Sequence, residues 1–476
     1  MSQDSAVLNT APPKAPSIAV IGAGLAGLSA AWLLKQKYQV TLFESHATPG
    51  MGVYTSDYYN KGRHSRVDIP LRVFTKGYYP ELFALYEHLG VEMESSDHSA
   101  VYQHIHAGKE HKPKAFFQYY NQKILNKELS LLHKNTLTLK GLRLTLGHFS
   151  FFKQIKKDSA NIHALKDITF GQYVHQKQFH QGYINEILLP ALAVTCTCDY
   201  QDILNYPCDL ILEYLSCGVM DEGIVRAKLG VDDIVPRLTR GYQVRCFEQV
   251  QSVKKNPSGG SALKVTSKNT QSNHVTQQEF DYVVIATQAD VACKILSNSE
   301  STTQAKLLGA IPIQSSTMVL HTDSEQVYHA QKASPVSYIL NNAHNRPSTS
   351  VDLTKAFSSY QGLDPIYQTW NPIKAPDEKH VLNRAQFTRP LVTLQSRQSV
   401  AQLMKYNQTS AIKICGSYMV NKIPLLDAAV ESSVTLAKQL ACIIPWESKV
   451  DKTKESANKI AEVTAQTDVK PQVEPV

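Results

Sequence analysis

The first strong signal along the chain is a change of hydrophobic period. Ile18-Ala19-Val20-Ile21 is a short, uninterrupted apolar run, as a strand buried on both faces requires. A glycine-rich turn follows. Leu25–Lys35 then reads as a helix, and Gln39–Glu44 as a second strand. Strand, turn, helix and strand in that order predict a βαβ unit.

Similar pieces recur far downstream. Gln243–Val250 alternates as one strand, and Asn256–Gly260 predicts a turn between Val253 and the run Leu263-Lys264-Val265. Tyr282–Thr287 is another buried-strand run. Ala411–Cys415 is a strand that Gly416 ends, and Asp427–Leu440 has the pattern of an amphipathic helix. Regions 95–225 and 300–405 differ: they read as helical, aromatic-rich and polar. The fold class expected is α/β, a Rossmann-like dinucleotide domain with an inserted α+β substrate domain. Its segments would be 17–94, 226–300 and 406–446, with the insertions 95–225 and 301–405. Residues 1–16 read as a loose arm and 447–476 as a disordered tail, since neither can bury enough apolar surface to offset its ordering entropy.

Composition narrows the class. With 476 residues, 43% hydrophobic and 19% charged, the chain is globular and long enough for two domains. A formal charge of +8 suits anionic cofactors or an anionic membrane surface and includes no basic tail of the nucleic-acid kind. The eight cysteines form no paired framework. Cys196-Thr197-Cys198 reads as structural thiols, because no second pair or histidine cluster supplies metal spacing, and no metal is expected. No leader pattern and no apolar run of the length a membrane span needs is seen, so a reduced cytoplasmic setting is expected.

The chemistry sits in the first turn. Gly22-Ala23-Gly24-Leu25-Ala26-Gly27 is a G-x-G-x-x-G motif between a strand and a helix. Gly22 permits the tight turn, Gly24 lets a pyrophosphate approach the backbone, and Gly27 lets helix and sheet pack closely. The helix N-terminus favours the phosphates. Glu44, 22 residues after Gly22, ends the second strand, with Ser45 beside it. A carboxylate there accepts both hydroxyls of an adenosine ribose and repels a 2′-phosphate. The alternative is a solvated strand-end charge.

Beyond this unit the chain resembles a family. The stretches are Ile18–Glu44, Pro49-Gly50, Val67–Phe74, Tyr79–Leu82, Leu89–Val91, Asp281–Asp290, Val319–Asp323, Gln368–Pro372, Cys415–Tyr418 and Pro424–Val430. Together they are similar to flavin-containing amine-oxidase-like proteins, more narrowly to a branch of NAD/FAD-binding proteins. The resemblance implies FAD, with the glycines on its pyrophosphate and Glu44 on its ribose. It implies that Gly50, Gly52 and Arg72 join the grip and that the Val250 backbone faces adenine. Ala286 and Thr287 would pass near the dinucleotide, and Gly416 and Ser417 would approach the flavin.

Two departures stand out. The family follows the ribose acid with a Gly-Gly pair, whereas this chain has Gly50-Met51-Gly52. Either a Cβ at Met51 crowds the pyrophosphate, or Gly52 takes over after a one-residue slip. The family lysine near the flavin and its flanking aromatic pair have no assigned counterpart, so the substrate need not be an amine. The candidates for a substrate cavity are Tyr418, Trp370, Asn371 and His321, the last beside Asp323. Cys415 has two readings, a covalent flavin attachment or a buried strand thiol.

Residues 101–157 carry eleven Lys/Arg against two acids, Glu110 and Glu128, interleaved with aromatics. They read either as a solvated domain face or as a peripheral contact with anionic lipid. No nucleic-acid module appears. The function expected is FAD-dependent transfer of a hydride from an amine or lipid-like small molecule. The alternatives are a flavin-dependent desaturase or isomerase of lipid or polyene C–C bonds and a degenerate, non-catalytic flavin-binding protein.

Overall fold

The computed structural model describes residues 15–51, 54–105, 114–124, 127–217, 223–255, 262–299, 301–324, 334–341 and 344–447. A five-stranded parallel sheet has the order Gln243–Arg245, Gln39–Phe43, Ser17–Ile21, Tyr282–Ile285, Ile412–Ile414. Three separated stretches of chain therefore build one sheet. Ile18 and Val20 enter the core on one face, and Ala19 and Ile21 enter the core on the other. Burial of both faces is why the run shows no polar alternation. Helices Leu25–Leu34 and Leu426–Gln439 cover the first face, joined by the Ser29–Ser433 hydroxyl pair at 2.7 Å.

The expected single strand Gln243–Val250 is two strands. Gln243–Arg245 completes the parallel sheet, and Glu248–Lys255 opens a separate antiparallel sheet with Leu263–Asn269 and Val275–Phe280. The break falls at Phe247, whose φ of +59° is left-handed and whose N–H donates to His46 O. An alternating pattern carries no mark of such a corner. The predicted turn 256–260 lies outside the described residues.

The second large element corrects the helical reading of 95–132 and 313–390, while Thr302–Gly309 and Leu394–Thr409 are helices. It is an eight-stranded sheet, ordered Val381–Pro390, Ile313–His321, Tyr367–Trp370, Ser348–Asp352, Val336–Leu340, Ala100–His104, Lys114–Ile124, Lys127–Leu132. Its strands are hard to read because many of their buried positions are polar. Gln103, Gln118, Ser337, Ser350 and Thr369 are all buried. Most are hydrogen-bonded to other side chains: Gln103 donates to Ser337 Oγ at 2.8 Å, Gln118 to Ser334 Oγ at 3.0 Å, and Ser350 and Thr369 share a hydroxyl bond at 2.7 Å. Hydrogen-bonded burial of this kind is stable but erases the apolar period. The hairpin Tyr54–Asn60/Arg63–Ile69 packs Tyr58, Val67 and Ile69 against this sheet, although its sequence lies inside the first nucleotide segment. Helices do occupy 139–216, beginning with Leu139–Asp158.

A candidate dinucleotide cradle and the wall facing it

Each motif glycine has a different environment. Gly22 turns with φ +102°, donates to Phe43 O at 2.8 Å, and leaves a Cβ only 3.0 Å from Ala286 O and 3.1 Å from Thr287 Cγ2. A Cβ on Gly27 would fall inside the van der Waals radius of Gly22 O. A Cβ on Gly24 would meet nothing within 4 Å. Two glycines are thus needed by the protein itself, while the third faces open space. Gly24 also caps helix Leu25–Leu34 with no side chain, so the first N–H groups, those of Leu25 and Ala26 among them, have no side-chain acceptor there. Ala286 and Thr287 stand beside the turn, with Ala286 N–H on Ile21 O at 2.8 Å.

Glu44 closes the other side. Its carboxylate accepts from Ala23 N–H at 2.8 Å and from His46 N–H at 2.9 Å, and Ser45 Oγ lies 3.2 Å away. Burial pushes this carboxyl upward, but the N–H groups of His46 and Ala23 outweigh it and hold it below its ordinary value. Glu44 is therefore an anion at neutral pH that also fixes the turn. Its carbonyl accepts from Glu248 N–H at 2.8 Å, which brings the strand carrying Val250 to the same end of the sheet.

Met51 answers the glycine-pair question. It adopts φ +54°, the left-handed region that favours glycine, and costs roughly 1 kcal/mol there. Its N–H donates to Ala23 O at 3.0 Å, so the loop carrying Gly50 runs alongside the glycine turn. The buried side chain turns into a small void with Asp68, Arg72 and Tyr86, and the space before Gly24 stays clear. Gly52 lies outside the described residues. Arg72 donates one Nη to Met51 O, while its other Nη is buried with no partner. Burial brings its pKa down to about 10. An unpartnered buried donor of this kind fits an anionic ligand.

Gly416 follows strand Ile412–Ile414, with its N–H on Ser432 Oγ at 3.0 Å, and Ser417 begins a short 3-10 turn. Cys415 is fully buried between Ala26 O and Ser433, which fits the strand-thiol reading.

The four cavity candidates do not converge. Tyr418 is buried in the nucleotide-side core and its hydroxyl donates to Thr287 O at 3.1 Å. Trp370 is buried edge-on to Phe387, 4.9 Å between ring centres, in the core beneath the large sheet. Asn371 has φ +45° and lines an open cavity of about 400 Å³ with Asp199, His344 and Arg346. His321 is fully buried inside the sheet, its Nε2 2.7 Å from Thr369 Oγ1, and burial takes its pKa down to about 4. It lies seven residues, about 23 Å along the strand, from Gln314, whose end of the sheet meets the nucleotide side. The sequence joined these residues because each follows or ends a strand; the pairing register separates them.

Arg389 is the residue the sequence did not reveal. It pairs in register with Gln314, and its neighbour Thr388 accepts from Gln288 Nε2 at 3.2 Å, one residue past Thr287. Tyr79, Cys196, Tyr206 and Cys198 are close enough to act on the guanidinium electrostatically. Burial raises the pKa of all four, with Cys196 pushed up to about 12, so none is anionic at neutral pH. Burial lowers that of Arg389, yet the residue keeps part of its surface free. Its guanidinium lies over the Phe387 ring, 5.8 Å from the ring centre. No carboxylate among the described residues pairs with it. Nothing in the sequence marks it, because its neighbours come from four separate elements.

Comparisons with known proteins agree with this architecture. Residues 20–89 match the model of the NAD(P)-binding Rossmann-like domain. No curated protein matches by sequence. Among solved structures, a CLA-producing fatty acid isomerase from P. acnes aligns with TM-score 0.61 at 12% identity, over 90% of this chain and 99% of its own. Putrescine oxidase, solved with putrescine bound, aligns at 0.57 and 13%, again over 90% and 99%. The chain has the amine-oxidase-type fold. Cyclohexylamine oxidase from Brevibacterium oxydans IH-35A shares it at 0.56 and 14% over the same fractions. Here the Thr388–Gln288 contact joins the large sheet to the chain just past Thr287.

Proposed function

We propose that this chain is an FAD-dependent oxidoreductase that takes a hydride from a small organic acid held between the glycine turn and Arg389. One observation carries the cofactor reading: the only motif glycine that the protein's own packing leaves free is Gly24, the one a pyrophosphate would need. The donor set fits the group. Leu25 and Ala26 N–H and the free Nη of Arg72 suit the pyrophosphate, and Glu44 suits the ribose. When bound, FAD supplies the hydride acceptor. In this reading 17–94, 226–300 and 406–446 form the cofactor side. Segments 95–225 and 301–405 form the substrate side, with hairpin Tyr54–Ile69 serving the latter. Eight unpaired cysteines suit a reducing, cytoplasmic compartment.

The protein's own residues set the substrate's charge. Arg389 attracts a carboxylate and repels an ammonium group. Tyr79 and Tyr206, both buried, keep water from its flank, which strengthens that preference. This favours an acid-bearing substrate over a simple amine. It keeps a second reading open, C–C isomerisation of an acid-bearing lipid, as in the name of the P. acnes neighbour. The test is anaerobic mixing of holoprotein with a panel of carboxylic acids and of amines. Bleaching of the flavin by acids, with an oxidised product, supports the proposal. Product of unchanged oxidation state selects isomerisation. Bleaching by amines alone overturns the acid assignment.

A further inference from the structure

The helix Leu139–Asp158 has two apolar faces, and only one has a partner. Gly141, Leu144, Gly147, Phe151 and Ile155 are buried, and Gly147 packs so closely that a Cβ would lie 2.8 Å from Tyr183 Cβ. The other face carries Leu139, Leu142, Leu146 and Phe149, which are 80%, 55%, 61% and 66% exposed. Their spacing of three, four and three residues makes one stripe along the helix. Leu137, just ahead of the helix, is 75% exposed, and Leu129 and Leu132 precede it on strand Lys127–Leu132. Isolated exposed leucines are ordinary, but a row of them on one helix is not.

The charge around the stripe has one sign. From Leu129 to Lys157 there are six Lys/Arg and no Asp or Glu. Lys140 turns back to Glu186 and the Phe116 ring. Arg143, Lys153, Lys156 and Lys157 are exposed and pair with no acid among the described residues. The helix is therefore apolar at its solvent-facing start and basic at its end. No described helix is long and apolar enough to cross a membrane.

We infer that this face docks on an anionic lipid bilayer, with Leu139, Leu142, Leu146 and Phe149 entering the headgroup boundary and the cations meeting lipid phosphates. An apolar stripe with a basic border is the pattern of a helix lying in the interface plane. A second copy of the chain is the weaker occupant. A two-fold contact through this face would give its four free cations no anionic partner from the same helix, whereas lipid phosphates supply one. The inference stands apart from the cofactor reading, since it uses none of the cradle residues.

The test uses the purified full-length chain and sedimentation with two vesicle types, pure phosphatidylcholine and phosphatidylcholine with phosphatidylglycerol at three to one. The expected result is binding to the anionic vesicles that falls at least tenfold in 0.5 M salt, and negligible binding to the neutral ones. The triple variant Leu142→Ser, Leu146→Ser, Phe149→Ser should lose at least tenfold in binding with an unchanged melting temperature, because all three side chains already face solvent. Lys153→Glu with Lys157→Glu should lose a similar factor. Equal, negligible binding to both vesicles overturns the inference. So does binding that neither variant weakens, which would move the contact to another part of the chain. A concentration-dependent dimer that the triple variant converts to monomer would assign the face to a second copy instead.

Discussion

The glycine turn and the Arg389 wall differ in how they are made. The turn is local: Gly22 to Glu44 builds one side of the cradle from a single βαβ unit, and its contacts are backbone bonds and close packing. The wall is assembled from a distance. Arg389 meets Tyr79, Cys196, Cys198 and Tyr206 only because a strand, a loop, a helix end and a helix boundary are folded against one another. A local site imposes its residue types on the sequence. A remote one imposes only a charge at a position that reads like any strand arginine.

The largest effects should come from the glycines, and they should separate two kinds of need. Gly27→Val should abolish folding or cost at least about 3 kcal/mol, since its side chain collides with the backbone of Gly22. Gly24→Val should leave the melting temperature of the cofactor-free protein within a degree or two, because its side chain enters open space, yet weaken FAD binding at least a hundredfold, about 2.7 kcal/mol. Thermal unfolding of both apo variants, with FAD titration of the second, checks the pair. Equal destabilisation by both would mean that Gly24 is a packing glycine like its neighbour.

Glu44→Gln sharpens the cradle further. Gln retains an oxygen for Ala23 N–H, so the turn should persist while FAD affinity falls by about 1–3 kcal/mol. An unchanged dissociation constant would return Glu44 to the role of a strand-end acid.

His321 tests whether the large sheet's interior is structural. Its folded pKa, about 4, lies below the ordinary value of 6.5, so the unfolded chain takes up the proton first. Its contribution is intact above pH 6.5 and is lost as pH falls toward 4. Urea unfolding should show about 2 kcal/mol less stability at pH 5 than at pH 7 from this group, a difference that His321→Gln should remove. The same variant should keep its rate of flavin reduction. A slowed reduction with normal stability would place His321 at the chemistry after all.

Arg389→Met is the mildest for the fold. Removing a buried cation with no anion should leave the apo protein as stable or up to about 1 kcal/mol more stable, while affinity for acid ligands falls at least tenfold. A clear loss of stability would mean that the guanidinium is held by the protein itself.

These contrasts also mark what was legible in the sequence. The parallel sheet was, because Ile18–Ile21 and Tyr282–Ile285 are apolar on both faces. The eight-stranded sheet was not, because Gln103, Ser337, Ser350 and Thr369 are buried as hydrogen-bonded polar groups and break the period that marks a strand. Ala286 and Thr287 were expected to pass near a dinucleotide, and the structure sets them beside Gly22. Tyr418, Trp370, Asn371 and His321 were grouped by their positions at or after strand ends, which says nothing about which end of a sheet they share. Met51 shows the reverse case: its odd residue type was visible, but only its φ and the direction of its side chain show that Gly24 stays accessible.

The most direct test of the account is the identity of the nucleotide that the protein retains. Wild-type protein reconstituted with excess FAD and NAD, freed of unbound ligand and heated should release close to one equivalent of FAD and no NAD, and Gly24→Val treated in parallel should release neither. Release of NAD in place of FAD, or no retained nucleotide from wild-type protein with a normal melting transition, would contradict it.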